Sequence, residues 1–369
     1  MRILILTSSR ADFGIYLPLI KLLKNDSFFD LKILAFGTHL SKFHGYTLKN
    51  ITDSGIFVDY TISTILTNDE PSDIATSFGL TVLKFADFWK ENSKIFDIVF
   101  VLGDRFEMAA AVSAGIPFNI RFAHIHGGET TLGAIDNIFR HSITLASKIH
   151  FVSLPEYKTK VNELFGSDQN DCHITGALSL DNISQIEMLS IDSFYKVWGI
   201  NLNIPTILMT IHPETIGHEK NENFAKCIFE VCEILAKDVQ LVITMPNADT
   251  NGLIFREYYN KLIINPKNKI HLVENFGTQS YFTCMKYSQL VIGNTSSGII
   301  EAASFQKFVI NIGNRQKGRL HGDNVIDVPF EKENITRFSS QNMGRIYKKD
   351  NIYFLGGAAK KIVEVIKIL

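Results

Sequence analysis

Short, almost wholly apolar runs alternate with amphipathic helical stretches along nearly the whole chain. No other feature restricts the fold as much. Residues 2–7 (RILILT), 31–36 (LKILAF), 97–102 (DIVFVL), 119–125 and 149–153 read as strands. Helical patterns lie over 14–24, 73–93, 106–115, 133–147 and 155–165. Strands that are apolar on both sides must be covered on both faces, and a parallel sheet flanked by helices does this. The rhythm weakens over 178–203 and then restarts. Strands follow at 205–211, 239–245, 269–273, 289–293 and 308–312, with helices at 221–237, 252–263, 278–287 and 297–305. The expectation is an α/β protein with two doubly wound parallel-sheet domains facing a cleft. Residues 1–180 form the first, 181–356 the second, and 357–369 a C-terminal helix. Ligands of such sheets lie beyond the carboxyl ends of the strands.

Composition removes several classes. The 37 basic and 38 acidic residues leave a net charge of −1, with no electrostatic footprint for nucleic acid or an anionic membrane. The 28 Phe and 11 Tyr supply more apolar surface than a disordered chain carries. The four cysteines, Cys172, Cys227, Cys232 and Cys284, form no CxxC pair and read as buried thiols. No apolar run approaches the ~18 residues that span a bilayer. The N-terminus reads as a strand without signal-peptide character, so a cytoplasmic protein is expected.

The loops after the strands carry the chemistry. Ser8-Ser9-Arg10-Ala11-Asp12-Phe13-Gly14 follows the first strand and is not a GxGxxG fingerprint, so nicotinamide and flavin are disfavoured. It is either an anion site at a helix start or a plain N-cap with a surface Arg10. Asp104, in Gly103-Asp104-Arg105-Phe106-Glu107, is either a cap or a carboxylate aimed into the cleft. His124-Ile125-His126-Gly127-Gly128-Glu129 is the segment richest in chemistry. Two histidines two apart share one face of a strand, which admits a metal pair, although no third ligand is evident. Asp136 and Arg140 are helix neighbours, either a surface pair or a carboxylate held by its arginine. In the second half His212 precedes the rigid Pro213, and Asn247 lies in Pro246-Asn247-Ala248-Asp249. Asn294-Thr295-Ser296-Ser297-Gly298, with Glu301 beyond, combines hydroxyls and a helix start into a phosphate cradle without a P-loop Lys. The basic loop 313–319, with Arg315, suits a diphosphate.

These segments, in this order, resemble the UDP-N-acetylglucosamine 2-epimerase family. The matches are SRADFG (9–14), GDRFE (103–107), HIHGGE (124–129), DNIFRHSI (136–143), HPET (212–215), PNAD (246–249), GNTSSGIIE (293–301) and GNRQKGR (313–319). The resemblance implies two Rossmann-like domains of the GT-B type. It is strongest to the hydrolysing branch of bacterial sialic acid synthesis. It implies elimination of UDP from UDP-GlcNAc and hydration of a 2-acetamidoglucal to N-acetylmannosamine. Asp104, Glu129 and Asp136 would supply carboxylates, and Arg10, His212 and Arg315 would meet the diphosphate. Arg105 would add a substrate contact; Ser296, Ser297 and Glu301 would hold phosphate and ribose; Asn247 and the backbone near Phe276 would meet uracil. Many members have Glu where His126 stands, so either His126 or Glu129 takes that role. The same departure admits a UDP-2,4-diacetamido-2,4,6-trideoxy sugar of the legionaminic acid route. No cofactor or metal is required, and a homodimer or homotetramer is expected. A GT-B glycosyltransferase, a non-catalytic UDP-sugar sensor and a metal-dependent hydrolase are the alternatives.

Overall fold

The computed structural model describes residues 1–42, 45–66, 68, 70–169, 171–246, 252–264 and 269–369. Among the described residues thirteen strands form two wholly parallel sheets. The first holds β1 (Arg2–Thr7), β2 (Asp30–Phe36), β3 (Tyr60–Ile62), β4 (Ile98–Leu102), β5 (Phe122–Ile125), β6 (Ile149–Val152) and β7 (Cys172–Ile174). The second holds β8 (Thr206–Thr210), β9 (Gln240–Thr244), β10 (Ile270–Val273), β11 (Leu290–Gly293), β12 (Val309–Ile312) and β13 (Val325–Val328). Their orders are β3-β2-β1-β4-β5-β6-β7 and β10-β9-β8-β11-β12-β13. Both reverse direction beside their first strand, at β1/β4 and at β8/β11, and such a switch point opens a crevice beyond the strand ends.

Helices α1 (Arg10–Lys24), α2 (Leu48–Asp53), α3 (Pro71–Asn92), α4 (Phe106–Gly115), α5 (Asp136–Ala146), α6 (Pro155–Phe165) and α7 (Asp181–Gln185) fall in the first half. Helices α8 (Ile191–Trp198), α9 (Asn221–Leu235), α10 (Gly252–Leu262), α11 (Gly277–Tyr287), α12 (Ser296–Ile300), α13 (Lys332–Asn342) and α14 (Ala358–Ile368) follow. Among the described residues no helix is long and apolar enough to cross a membrane.

The chain divides into two compact units. One comprises Met1–Glu129, Asp136–Asn182 and Leu355–Leu369; the other comprises Thr130–Ile135 and Ile183–Phe354. In the first, Ile5, Ile33, Phe100 and Phe151 pack with Tyr16, Leu19 and Ile20 of α1 and Ile362 and Ile366 of α14. On the opposite face Leu4, Val99 and Phe122 pack with Phe85, Trp89, Met108 and Val112. In the second unit Ile207, Leu241, Ile292 and Ile310 pack with Ile228, Val231, Phe255 and Ile335.

Several elements differ from the sequence reading, each for a local reason. Helix α1 starts at Arg10, not residue 14, because Ser9 and Asp12 form a reciprocal capping box. Pro18 inside α1 has no N–H to give the Gly14 carbonyl, and the Asn182 side chain donates to it instead at 2.8 Å. Beside it Asp181 accepts the first free amides of α14, Ala358 N at 3.1 Å and Ala359 N at 2.7 Å. Helix α5 starts at Asp136 rather than 133, since residues 130–135 pack within the other unit. The strand expected from 119 starts at Phe122, behind a left-handed Asn119. The helix expected over 297–305 breaks after Ile300 into a 3₁₀ turn, Ala302–Phe305.

Candidate active site

In the first unit the candidate residues gather after β1, β4 and β5. The Asp12 carboxylate accepts from Ser8 N (2.9 Å), Ser8 Oγ (2.6 Å), Ser9 N (3.1 Å) and Ser9 Oγ (2.9 Å). It is a buried brace for the turn that presents Arg10, the first residue of α1. Beyond β4, Asp104 receives the Arg140 guanidinium. Arg140 is 1% exposed against 27% for Asp104. It also donates to the Glu129 carbonyl at 3.0 Å, so one buried cation joins the loops after β4 and β5. Asp104, 36 residues before Arg140 in sequence, is a partner that helix spacing could not offer. Asp136 is half-buried at the first position of α5, where a carboxylate favours the helix N-terminus. Arg105 is held by Glu107 through two bonds, Nε to Oε2 at 3.2 Å and Nη2 to Oε1 at 2.8 Å. Burial pushes the Glu107 pKa up, and Arg105 pulls it back down.

The two histidines do not share a face. Strand β5 ends at Ile125, and His126 takes a left-handed conformation, φ 66°. Alternation therefore stops between them. Burial pushes His124 down to about 3, so the ring is neutral. Its Nε2 donates to the Gly103 carbonyl at 2.9 Å, and Nδ1 lies 3.1 Å from the Thr144 hydroxyl. Both nitrogens are thereby engaged in joining β5 to the β4 loop and α5, which overturns the metal-pair reading of His124 and His126. His126 Nδ1 donates to Glu129 Oε1 at 2.7 Å, and Ser153 Oγ donates to the same oxygen at 3.0 Å. Glu129 is fully buried. Among the described residues His126 Nε2 has no hydrogen-bond partner. Sequence reasoning missed Ser153; it follows β6 directly, the one signal that could have found it. Among the described residues no three His, Cys, Asp or Glu side chains are grouped to hold a metal.

In the second unit the candidates gather after β8, β11 and β12. His212 is buried, and its backbone is clasped by the Asn294 side chain: His212 N donates to Oδ1 at 2.7 Å and Nδ2 donates to the His212 carbonyl at 2.9 Å. The Asn294 carbonyl accepts from Arg315 Nη1 at 3.3 Å and Gln316 Nε2 at 2.9 Å. Arg319 Nη1 in turn donates to Gln316 Oε1 at 3.0 Å. Ser296 and Ser297 open α12, and Thr295 caps it. The Tyr281 hydroxyl lies beside Ser297 and Thr210, outside good hydrogen-bond geometry, and burial pushes it up to about 12. Glu301 is buried at the end of α12. Phe276 packs against Phe194 and Trp198 at ring separations of 5.5 and 4.7 Å. Asn247 lies outside the described residues. Residues 130–135 fasten to this unit: Leu132 N donates to the Lys317 carbonyl at 2.8 Å and Ile135 N to Thr215 Oγ1 at 2.9 Å.

The family described as UDP-N-acetylglucosamine 2-epimerase matches residues 21–367. A curated relative, the GDP/UDP-N,N'-diacetylbacillosamine 2-epimerase (hydrolyzing) of Campylobacter jejuni, is 34% identical over 326 residues, covering 88% of this chain and 84% of the relative. The UDP-N,N'-diacetylbacillosamine 2-epimerase (hydrolyzing) of Legionella pneumophila is 30% identical over 369 residues, covering 100% and 96%. Among solved structures, the UDP-GlcNAc 2-epimerase of Neisseria meningitidis bound to UDP-GlcNAc superposes with a TM-score of 0.83 at 19% identity, covering 100% of both chains.

Proposed function

The chain belongs to the UDP-N-acetylglucosamine 2-epimerase family, and on that premise we propose that it is a hydrolysing UDP-sugar 2-epimerase. It takes a UDP-2-acetamido sugar and water to UDP and the free sugar inverted at C2. In the first step a base removes the C2 proton. The C–H electron pair becomes the second bond of C1=C2, the C1–O bond breaks, and UDP leaves with the C1–O electron pair, giving a 2-acetamidoglucal. In the second step water adds its oxygen to C1, and a proton reaches C2 from the opposite face. C2 is inverted by proton transfer, with no net oxidation.

The observation that carries this reading is the pair of carboxylate-centred contacts after β4 and β5, Asp104–Arg140 and Glu129–His126. Asp104 and Asp136 supply partly accessible carboxylates, the groups that general acid–base work at C2 requires. Glu129, fully buried, acts through His126: it holds Nδ1 and leaves Nε2 to carry the proton. His212, Arg315 and Arg10 meet the diphosphate as negative charge develops on the leaving group. Ser296, Ser297 and Glu301 hold phosphate and ribose, and Asn247 with the backbone at Phe276 meets uracil.

UDP-GlcNAc, giving N-acetylmannosamine, is the first substrate reading. The 2,4-diacetamido-2,4,6-trideoxy analogue is the second, since the two relatives are named for a diacetylated sugar. Each UDP-sugar is incubated in D2O without an acceptor, and the products are read by mass spectrometry and NMR. UDP and a free 2-epimer bearing one deuterium at C2 are expected, and the faster sugar is the substrate. Release of UDP only when an acceptor sugar is added would instead make the chain a GT-B glycosyltransferase.

A further inference from the structure

The second unit buries a carboxylate that the reaction above does not use. Glu214, in the HPET turn after β8, is 5% exposed. Its backbone is locked by Asn221: Glu214 N donates to Asn221 Oδ1 at 3.1 Å, and Asn221 Nδ2 donates to the Glu214 carbonyl at 2.9 Å. Its carboxylate accepts the Asn314 amide through a short bond to Oε1, and the Arg315 amide bonds it as well. Burial pushes the Glu214 pKa up, while these two amides, Lys220 and Arg315 pull it back down. Two successive amides aimed at one anion form a concave nest.

The loop beside it is shaped to allow this approach. Gly313 has φ 77°, and a Cβ there would lie 2.4 Å from Glu214 Oε1. From the Asn294 side, Arg315 and Gln316 are tied to the carbonyl of that residue. From a third side, Leu132 N donates to the Lys317 carbonyl. The loop 313–319 is thus held at Glu214, at Asn294 and at Leu132.

We propose that Glu214 is a positioning residue: its carboxylate takes up the 314 and 315 amides and so sets the direction in which Arg315 meets the diphosphate. This rests on the reading of Arg315 as a UDP contact. A carboxylate close to an anion site would oppose the ligand if its own charge were left open. Committed to two backbone amides, it instead shapes the loop that carries the Arg315 guanidinium. Glu214 therefore touches no substrate and acts through the loop.

UDP affinity by calorimetry, steady-state kinetics and thermal melts of Glu214→Ala, Glu214→Gln, Gly313→Ala, Arg315→Ala and Glu214→Ala/Arg315→Ala test it. Loss of hydrogen bonds to a charged acceptor predicts UDP binding about tenfold to a hundredfold weaker in Glu214→Ala. KM should rise with kcat changed by less than about threefold, since the proton-transfer groups lie elsewhere. Gln keeps one acceptor oxygen and should recover part of the loss. Gly313→Ala, which pushes the same joint apart, should weaken UDP as Glu214→Ala does. The double variant should bind little worse than Arg315→Ala alone, because both act on one guanidinium. If Glu214→Ala does not fold, Gln and Gly313→Ala decide the question. Wild-type UDP affinity in the Glu214 and Gly313 variants beside a weakened Arg315→Ala, or full additivity, overturns the positioning role. Wild-type affinity in Arg315→Ala overturns the UDP contact, and the positioning role falls with it.

Discussion

Asp104→Asn separates chemistry from structure at one atom. Asn has nearly the volume of Asp and keeps an oxygen that the Arg140 guanidinium can reach, but it cannot take a proton at C2. Arg140 also keeps its 3.0 Å bond to the Glu129 carbonyl, so the loops after β4 and β5 stay joined. A hydrogen bond to a charged partner contributes ~1.5–3 kcal/mol and a neutral one ~0.5–1.5, so the exchange costs about 1 kcal/mol. Asp104 is 27% exposed, and solvent screening reduces that figure further. In a unit of this size it lowers Tm by ~2–4 °C at most. Loss of a general base, in contrast, lowers turnover ~10²–10⁴-fold, or about 2.7–5.4 kcal/mol in the barrier. UDP affinity should hardly change. Arg140→Ala makes the opposite comparison. It removes a cation that is 1% exposed, and breaking a buried pair costs ~3–5 kcal/mol, so it should lower the melting temperature far more. UDP release under saturating substrate, UDP calorimetry and thermal melts give the three readings. Near-normal turnover in Asp104→Asn would refute the reasoning and leave Asp104 as an anchor for Arg140 alone.

Three other outcomes follow from packing and titration. A Cβ at Gly293 would lie 1.9 Å from the Thr210 carbonyl oxygen on the paired strand β8, so Gly293→Ala must move one strand and should cost more than ~3 kcal/mol; an unchanged melt refutes the close approach. Burial holds His150 at about 4, below the ordinary 6.5, and among the described residues neither ring nitrogen has a hydrogen-bond partner. The unfolded chain therefore takes up that proton first, and stability falls as pH drops from 6.5 towards 4, at about 1.4 kcal/mol per pH unit for this group. His150→Leu should flatten the slope of stability against pH by that amount in denaturant melts; an identical slope shows that the ring is charged or solvated when folded. Burial pushes the Cys172 and Cys227 thiols up to about 11, and Cys232 and Cys284 higher still. The folded protein at pH 7.5 should react with iodoacetamide roughly a hundredfold more slowly than in guanidinium, and rapid labelling of the native chain would contradict this burial.

Much of the architecture is legible in the residue pattern because parallel strands buried on both faces must be apolar throughout. RILILT, IVFVL and TILMT have no other stable placement, and the loops following them could be picked as functional before any contact was known. Three edge strands escape the same reasoning. Tyr60–Ile62, Cys172–Ile174 and Val325–Val328 are short and partly exposed, so their apolar signal is diluted. Contacts between distant segments were beyond it altogether. Nothing in the sequence joins Arg140 to Asp104, 36 residues before it, yet the guanidinium meets that carboxylate, because the β4 loop lies beside α5. His124 and His126 alternate in sequence, but the strand ends between them, and one becomes a buried brace while the other turns to Glu129. Residues 130–135 join Glu129 to Asp136 in the chain yet fasten to Lys317 and Thr215. Burial patterns are local, and sequence periodicity records them. Ion pairs, braces and anchored loops depend on which strand ends meet across a sheet, and only the folded chain decides that.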